Sequence, residues 1–456
     1  MEQPVSDESR SDVRLDRSGG QRNVPIFASS SKSIMWALVD CNTFFASVER
    51  VFHPGLRGKP VLVAGSNDGI IVALTAEAKK LGIKRGDAVF KVRDIVDRNN
   101  VAVFSGNMML YAAMSKRVVS IIKRSVEKVD QYSVDECFAD LAGYDSHYDL
   151  TEYMRGVADR IRLWTDIPVS IGIAPTKTLA KMGSRFAKQY PGYHSVCSIN
   201  SEQKRRKALE LFPLYDVWGI GPRTYERLLS LGVTTPLEFA DKPGDWVERH
   251  FHKPGVQTWK ELNGYPCIDT EEVLQRQNIS TSRSFGQMVT DLGKLKSAVA
   301  YFTSSCANKL RAQGSVAKTI TVYVCSNRFR EDLPQYFNAG TYKFQVGTAD
   351  TIELTNAALS VLESIYRPGI NYKKAGIILG GISSEKAVQQ ILFDTIDNRP
   401  ERLDLSKTID VLNHKYGLKT VGLAVEGERT DTWRVKSEHR SPNYLTDLDD
   451  ILTVQI

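Results

Sequence analysis

Asp135 and Glu136 are neighbours in Tyr132-Ser133-Val134-Asp135-Glu136-Cys137-Phe138, a run otherwise rich in β-prone residues. Adjacent ionised acids repel, and apolar surroundings add a desolvation cost, so a fold keeps such a pair most readily with a cation between them. A solvent-facing hairpin tip is the plainer reading of the pair taken alone. A third acid shifts the balance. The apolar run Ile34-Met35-Trp36-Ala37-Leu38-Val39 reads as a buried strand and ends abruptly at Asp40. Three carboxylates offer hard oxygen ligands that suit Mg2+, and two such ions could clamp the attacking and leaving oxygens of an in-line phosphoryl transfer. Successive strand side chains point to opposite faces, so Asp135 and Glu136 converge only if the strand turns or bulges there.

Asp40-Cys41-Asn42-Thr43-Phe44-Phe45-Ala46-Ser47 together with Ser133-Val134-Asp135-Glu136 resembles the paired catalytic motifs of the Y-family DNA polymerases, the translesion enzymes. The likeness runs from about Ile34 to the C-terminus. Within the family it is strongest to the Umu C-type catalytic subunits of bacterial DNA polymerase V. The resemblance implies that Asp40, Asp135 and Glu136 are catalytic acids holding two Mg2+ ions, with the backbone carbonyl of Cys41 completing one coordination shell. Phe44 and Phe45 then fall at the nucleotide, Phe45 as the ring that leaves no room for a ribose 2′-hydroxyl, where many members carry Tyr. Two core aromatics of a helix is the other reading of that pair. Lys188 falls where a lysine meets the incoming triphosphate, and Lys79 where many members carry Arg on the same phosphates. Ala73 and Ala76 replace the Thr and Tyr that usually accompany that Arg, which implies fewer triphosphate contacts and slow, low-affinity incorporation.

The elements that must position these groups follow from pattern. Thr43 can cap a helix from Phe44 to Val51. Val61 to Ala64 and Gly69 to Leu74 read as strands, and Thr75 to Leu81 as a short helix stopped by Gly82. Asn107 to Val126 and Thr151 to Trp164 read as helices on either side of the acidic hairpin, and Val169 to Ile173 as a strand. Strand, helix, hairpin, helix, strand describes an α+β sheet covered on one face. In the next helix Lys177, Lys181 and Lys188 share one narrow face. That stripe fits either a solvated surface or a clamp on phosphates, with Lys177 and Lys181 as DNA contacts.

Beyond Tyr190-Pro191-Gly192, the run Val217-Trp218-Gly219-Ile220-Gly221-Pro222 before a helix resembles a helix-hairpin-helix. Its Gly219 and Gly221 would let backbone N–H groups approach a DNA phosphate; a simple tight turn is the alternative. From about Gln277 the pattern becomes strand, helix, two strands, helix, strand, with Thr319 to Cys325 alternating and Ala375 to Leu379 last. Arg283, Lys318, Arg328, Arg330, Lys373 and Lys374 could line a groove over duplex DNA. Gln389, Leu392 and Phe393 match the Q-x-x-L-F pattern that binds the bacterial sliding clamp, an amide and two apolar anchors for a pocket. Arg440-Ser441-Pro442-Asn443-Tyr444 resembles the polymerase V tail, which implies contact with the processed Umu D-type subunit and the recombinase filament.

With 456 residues the chain is too long for one core, and 42% hydrophobic with 25% charged residues is ordinary for a globular protein. A net charge of +7 is compatible with a polyanionic partner. The six cysteines lack metal-ligand spacing and read as free thiols, and no apolar run is long enough to span a bilayer, so a cytoplasmic protein is expected.

The expected architecture is an α+β multidomain right-hand polymerase. It comprises a disordered N-terminal tail or misassigned start over 1–32, a palm over 33–43 and 109–192, and small fingers over 44–108. A helical thumb over 193–268, a βαββαβ-like little finger over 277–385 and a C-terminal tail over 386–456 complete it. The expected function is template-directed addition of deoxynucleotides opposite damaged template in the SOS response. Primer-template DNA, dNTP and the sliding clamp are its expected partners. Two rivals are disfavoured: a nucleotidyl cyclase on the same palm, which would lack the hairpin thumb and basic C-terminal domain, and a catalytically silent DNA-binding or checkpoint subunit, which would not keep Asp40, Asp135 and Glu136.

Overall fold

The computed structural model describes residues 34–270, 275–389, 391, 394, 396, 398–417, 419–427 and 433–452. The expected N-terminal tail and the clamp-motif residues Leu392 and Phe393 lie outside them.

The N-terminal half begins with β1 (Trp36–Cys41), α1 (Phe44–Phe52), β2 (Val61–Ala64), β3 (Ile71–Leu74), α2 (Ala76–Lys80), α3 (Arg93–Arg98) and β4 (Ala102–Ser105). It continues with α4 (Met108–Ser125), β5 (Val129–Gln131), β6 (Glu136–Asp140), α5 (Leu150–Thr165), β7 (Val169–Ala174), α6 (Lys177–Gln189) and β8 (Val196–Ser198). One mixed sheet runs in the order β5-β6-β1-β7-β8, and a smaller one in the order β3-β2-β4. Side polar groups set the helix starts: the Asn107 carboxamide accepts from Leu110 N, and Asp149 accepts from Thr151 N and Glu152 N.

The large sheet is covered on both faces, not one. Ala37, Val39 and Cys41 of β1 pack with Leu110, Met114, Met154 and Ile161 of α4 and α5. Leu38 and Phe138 point the other way, onto Leu179, Met182 and Phe186 of α6. Two covers explain why β7 is buried at all six positions and reads as a continuous apolar run rather than an alternating one.

What lets α6 close the second face is a pair of glycines. A Cβ on Gly172 of β7 would stand 1.9 Å from Ala180 O and 2.1 Å from Ser184 N. Helix and strand backbones therefore touch at this crossing, with no side chain between them there. The buried Glu261 anchors the start of α6 by accepting from Thr178 N at 3.0 Å. Glu261 sits on α11 (Lys253–Leu262), the last of five helices after α7 (Glu202–Leu211), α8 (Pro222–Ser230), α9 (Pro236–Ala240) and α10 (Gly244–His250).

The C-terminal half carries β9 (Ile279–Val289), α12 (Leu292–Ala312), β10 (Ser315–Ser326), β11 (Phe337–Thr348), α13 (Thr351–Ile365) and β12 (Tyr372–Gly380). The strands form an antiparallel sheet in the order β11-β10-β12-β9. Alternation along β10 buries Ile320, Val322 and Val324 against the two helices and turns Thr319, Thr321 and Tyr323 to the open face.

After α14 (Arg399–Tyr416) the chain returns across the molecule. Trp433 is buried against Tyr301 and Phe302 of α12. Lys436 N then donates to Asn67 Oδ1 at 3.0 Å, while Asn67 Nδ2 donates to Ser284 O of β9 at 2.9 Å. Ser105 N donates to His439 O at 2.9 Å. Asn107 Nδ2 reaches Ser441 O at 2.8 Å, Ser441 Oγ donates to Glu49 Oε1 at 3.0 Å, and Tyr444 stacks on Phe52 at 4.8 Å. This strap joins the C-terminal sheet to the small N-terminal sheet and to helices α1 and α4.

Candidate active site

Asp40 and Glu136 are directly paired across the antiparallel strands β1 and β6. Strand alternation places both on the face covered by α6, the same face as Leu38 and Phe138. Asp135 lies just before β6, in a bend rather than a regular strand. Tyr132 N and Ser133 N both donate to Glu136 O at 3.1 Å, and Cys41 N donates to Asp135 O at 2.9 Å. Ser133 Oγ donates to Asp135 Oδ1 at 2.6 Å and accepts from Glu136 N at 3.0 Å. The Ser133 hydroxyl thus holds the bend in which the two adjacent acids sit.

The charge of the acids is met by α6. Lys188 Nζ lies 2.9 Å from Asp40 Oδ1, and Lys181 Nζ lies 3.1 and 3.0 Å from the two Glu136 oxygens. Burial raises the Asp40 carboxyl above the ordinary carboxylate range, the Lys188 ammonium opposes it, and the nearby Asp135 charge adds to the rise. Lys181 is also 4.7 Å from the Tyr132 ring and 5.1 Å from the Trp218 ring, which box its stem.

Among the described residues no three acidic, His or Cys side chains gather into a metal cage, because Asp40 turns to Lys188 and Glu136 to Lys181. The donor chemistry nevertheless fits a hard divalent cation. The acids are carboxylates at the end of a buried strand, and two ammonium groups already show that the site demands positive charge.

The lysine stripe is a solvent face only at its Lys188 end. Lys177 is 3% exposed, its ammonium 4.3 Å from the Trp36 ring, hydrogen-bonded to Thr270 and 4.0 Å from Asp130. The expectation of a DNA contact at Lys177 is therefore withdrawn: a buried, partnered ammonium cannot reach a phosphate. Lys181 faces Glu136 and sits inside the site.

Phe44 is buried at 3% exposure and belongs to the core, whereas Phe45 is half-buried and stacks on Tyr111 at 4.5 Å and 16°. Thr43 occupies the cap position with φ 47° but makes no side-chain cap bond; its Oγ1 lies 3.3 Å from Ser47 Oγ instead. Lys79 is exposed on α2, with Ala73 on β3 and Ala76 opening α2.

Gly219, at φ +95°, and Gly221, the cap of α8, form an exposed turn after a single 3-10 turn, Leu214–Asp216, in place of a full first helix. A Cβ on Gly219 would stand 2.2 Å from Thr258 Oγ1, so the turn is also tight against α11. Lys373 Nζ, on β12, donates to Phe285 O at 2.6 Å, and Arg330, in the loop between β10 and β11, makes an exposed pair with Asp332.

Sequence reasoning missed Ser133, Tyr111, Glu49 and Asn107. Only Ser133 carried a local signal, a hydroxyl two residues before an acid.

Comparison with known proteins matches residues 39–185 to the impB/mucB/samB family and residues 276–392 to that family's C-terminal domain. Residues 404–454 match a domain of unknown function (DUF4113). The chain is 37% identical to Protein UmuC of Salmonella typhimurium over 92% of this chain and 100% of that protein. It is 35% identical to Protein MucB of Escherichia coli over 91% and 98% of the two chains. It is 28% identical to DNA polymerase IV of Moorella thermoacetica, over 87% of this chain and 96% of the other. In fold it is similar to a Y-family DNA polymerase chimera of Dbh and Dpo4, with TM-score 0.62 and 22% identity over 77% of this chain and 99% of that one.

Proposed function

The chain belongs to the impB/mucB/samB family and is a UmuC-type Y-family polymerase; from that premise we propose that Asp40, Asp135 and Glu136 form the centre of a translesion DNA polymerase. It adds deoxynucleotides to a primer 3′ end opposite damaged template in the SOS response. The observation that carries this reading is the pairing of Asp40 with Glu136 across β1 and β6, with Asp135 in the bend just before β6 and bonded to Ser133.

Divalent metal dependence follows from the family. Two Mg2+ ions held by Asp40, Asp135, Glu136 and the Cys41 carbonyl would supply Lewis acidity to the primer 3′-hydroxyl and the phosphates. The remaining work belongs to the chain. The β1–β6 pairing and the Ser133 turn hold the acids in place. Lys188 and Lys181 pair with Asp40 and Glu136 and present their ammonium groups where a triphosphate's charge arrives. Phe45, braced by Tyr111, takes the sugar's underside, and Lys79 takes the outer phosphates. Gly219 and Gly221 meet the duplex backbone.

Residues 33–43 and 109–192 serve as palm, with β8 at the edge of the same sheet, and residues 44–108 serve as fingers. Helices α7 to α11 serve as thumb and the C-terminal sheet as little finger. Exposed Gln389 is the described part of a sliding-clamp motif. The exposed Leu448, Ile451 and Leu452 favour docking of the tail's end on a processed Umu D-type subunit and a recombinase filament. No described helix is long and apolar enough to cross a membrane, and a cytoplasmic setting accords with the reading.

The test is extension of a primed template with and without Mg2+, comparing wild type with Asp135→Ala. Extension by the wild type alone, and only with the metal, supports the proposal. Absence of extension by wild type favours a catalytically silent subunit.

A further inference from the structure

On α1, Phe45, Glu49 and Phe52 follow one another at helical spacing and so share one face. Each meets a group from a distant part of the chain. Tyr111 of α4 stacks on Phe45 at 4.5 Å and donates its hydroxyl to Glu49 Oε1 at 2.6 Å. Ser441 Oγ of the strap donates to the same oxygen at 3.0 Å, and Tyr444 of the strap stacks on Phe52 at 4.8 Å.

Glu49 and Tyr111 are 0% exposed and Ser441 6%. A buried carboxyl is held by the bonds it makes, because an unmade one leaves its desolvation uncompensated. Both hydroxyls converge on Oε1, while Oε2 has no hydrogen-bond partner among the described residues. Ser441 and Tyr111 therefore fix the carboxyl together, and loss of either leaves it with one anchor fewer.

Asn107 makes a second link between the same parts. Its Nδ2 donates to Ser441 O at 2.8 Å, its side chain accepts from Leu110 N, and its backbone carbonyl accepts from Tyr111 N at 3.0 Å. The strap is thus bonded both to the start of α4, which carries Tyr111, and to the acid that the Tyr111 hydroxyl meets.

We propose that Ser441 is a positioning residue for sugar selection: through Glu49 it sets where the Tyr111 ring stands against Phe45. The segment matching a domain of unknown function would then tune the choice between deoxyribose and ribose. The proposal rests on the reading of Phe45 as the ring beneath the sugar. Stacking holds the two rings together, and the hydroxyl bond at the far end of Tyr111 fixes where along Phe45 they meet. Excluding one hydroxyl leaves little tolerance. A ring that slides by a fraction of an ångström admits ribose, while the smaller deoxyribose is accepted as before.

The test is primer extension on an undamaged template with dNTP or NTP, read as the ratio of kcat/KM for the two sugars. Ser441→Ala should lower the ratio roughly three- to tenfold, the scale of one lost hydrogen bond, through faster NTP use and with dNTP use at the wild-type level. Tyr111→Phe keeps the ring and deletes only the hydroxyl; it should lower the ratio similarly, and it keeps the test open if the strap variant melts early. In Phe45→Ala, where no ring is left to position, adding Ser441→Ala should change the ratio no further. Asn67→Gly frees the strap at its other end and suits the φ 61° found there, so the ratio should stay at the wild-type value.

A wild-type ratio in Ser441→Ala and Tyr111→Phe, with Phe45→Ala still letting NTP in, would overturn the proposal and spare the gate. A wild-type ratio in Phe45→Ala would overturn the gate itself and this proposal with it. An equal fall in Asn67→Gly, or a further fall when Ser441→Ala is added to Phe45→Ala, would overturn it by showing that the strap does not act through that ring.

Discussion

Gly172 of β7 and Gly183 of α6 meet backbone to backbone: a Cβ on Gly183 would lie 3.0 Å from the Gly172 Cα. This crossing sets how far Lys181 and Lys188 reach over the sheet, and so whether they arrive at Glu136 and Asp40. Gly172→Ala places a methyl group against Ala180 O and Ser184 N, with backbone that cannot step aside. We expect a loss of about 3 kcal/mol or more in unfolding free energy, with extension activity reduced further than stability alone explains. Denaturant melts and extension rates on the same preparation check this. Wild-type stability in the variant would mean that α6 does not rest on the sheet.

Lys188 and Lys181 should have separable effects. Removing a charged hydrogen-bond donor costs about 1.5–3 kcal/mol, which corresponds to roughly 10- to 100-fold. Lys188→Met should raise the KM for dNTP by that factor, with DNA affinity nearly unchanged. Lys181→Met frees Glu136 and should depress kcat more than KM. Steady-state kinetics on an undamaged template distinguish these, and a KM unmoved by Lys188→Met would remove that lysine from the triphosphate.

Glu49 predicts a pH dependence. Burial raises its carboxyl above the ordinary glutamate value, although hydrogen bonds from Tyr111 and Ser441 partly oppose the rise. Its second oxygen is buried with no hydrogen-bond partner among the described residues. The folded state therefore holds the Glu49 proton more tightly than the unfolded chain does. This contribution to stability is greatest at acidic pH, declines as pH rises from about 4.5 through the raised folded value, and is absent above it. Glu49→Gln should remove that decline. Unfolding free energies of both proteins from pH 4 to 8 test it, and parallel curves would contradict it.

Phe45→Ala should admit ribonucleotides, because the ring on Tyr111 no longer fills the space beneath the sugar. The lost stacking should cost about 1–3 kcal/mol of stability, less than a fully buried Phe→Ala change. Primer extension with NTP against dNTP reads the discrimination ratio. A ratio equal to wild type would place sugar selection elsewhere.

Much of the fold was legible because local pattern and tertiary context agree. Val61 to Ala64 was bounded correctly, and the order of strands and helices after Gln277 was read as it stands. The second cover on the large sheet was not legible. It depends on Gly172 and Gly183 meeting, and a glycine in a strand does not announce which backbone approaches it. Lys177 misled for a related reason: helical spacing gives a common face but not what the face is pressed against. At the site, Asp40, Asp135 and Glu136 stood out by charge in apolar runs, while their lysine partners on α6 required the three-dimensional crossing. Glu49 and Ser441 lie 392 residues apart, beyond the reach of any local pattern.

The most direct test is single-turnover extension by Asp40→Asn, Glu136→Gln and the double variant with Mg2+ present. Groups that act as one unit do not add, so each single change should cost at least about 1000-fold and the double little more than either. Singles within a few-fold of wild type, or losses that multiply in the double, would contradict a shared centre at these acids.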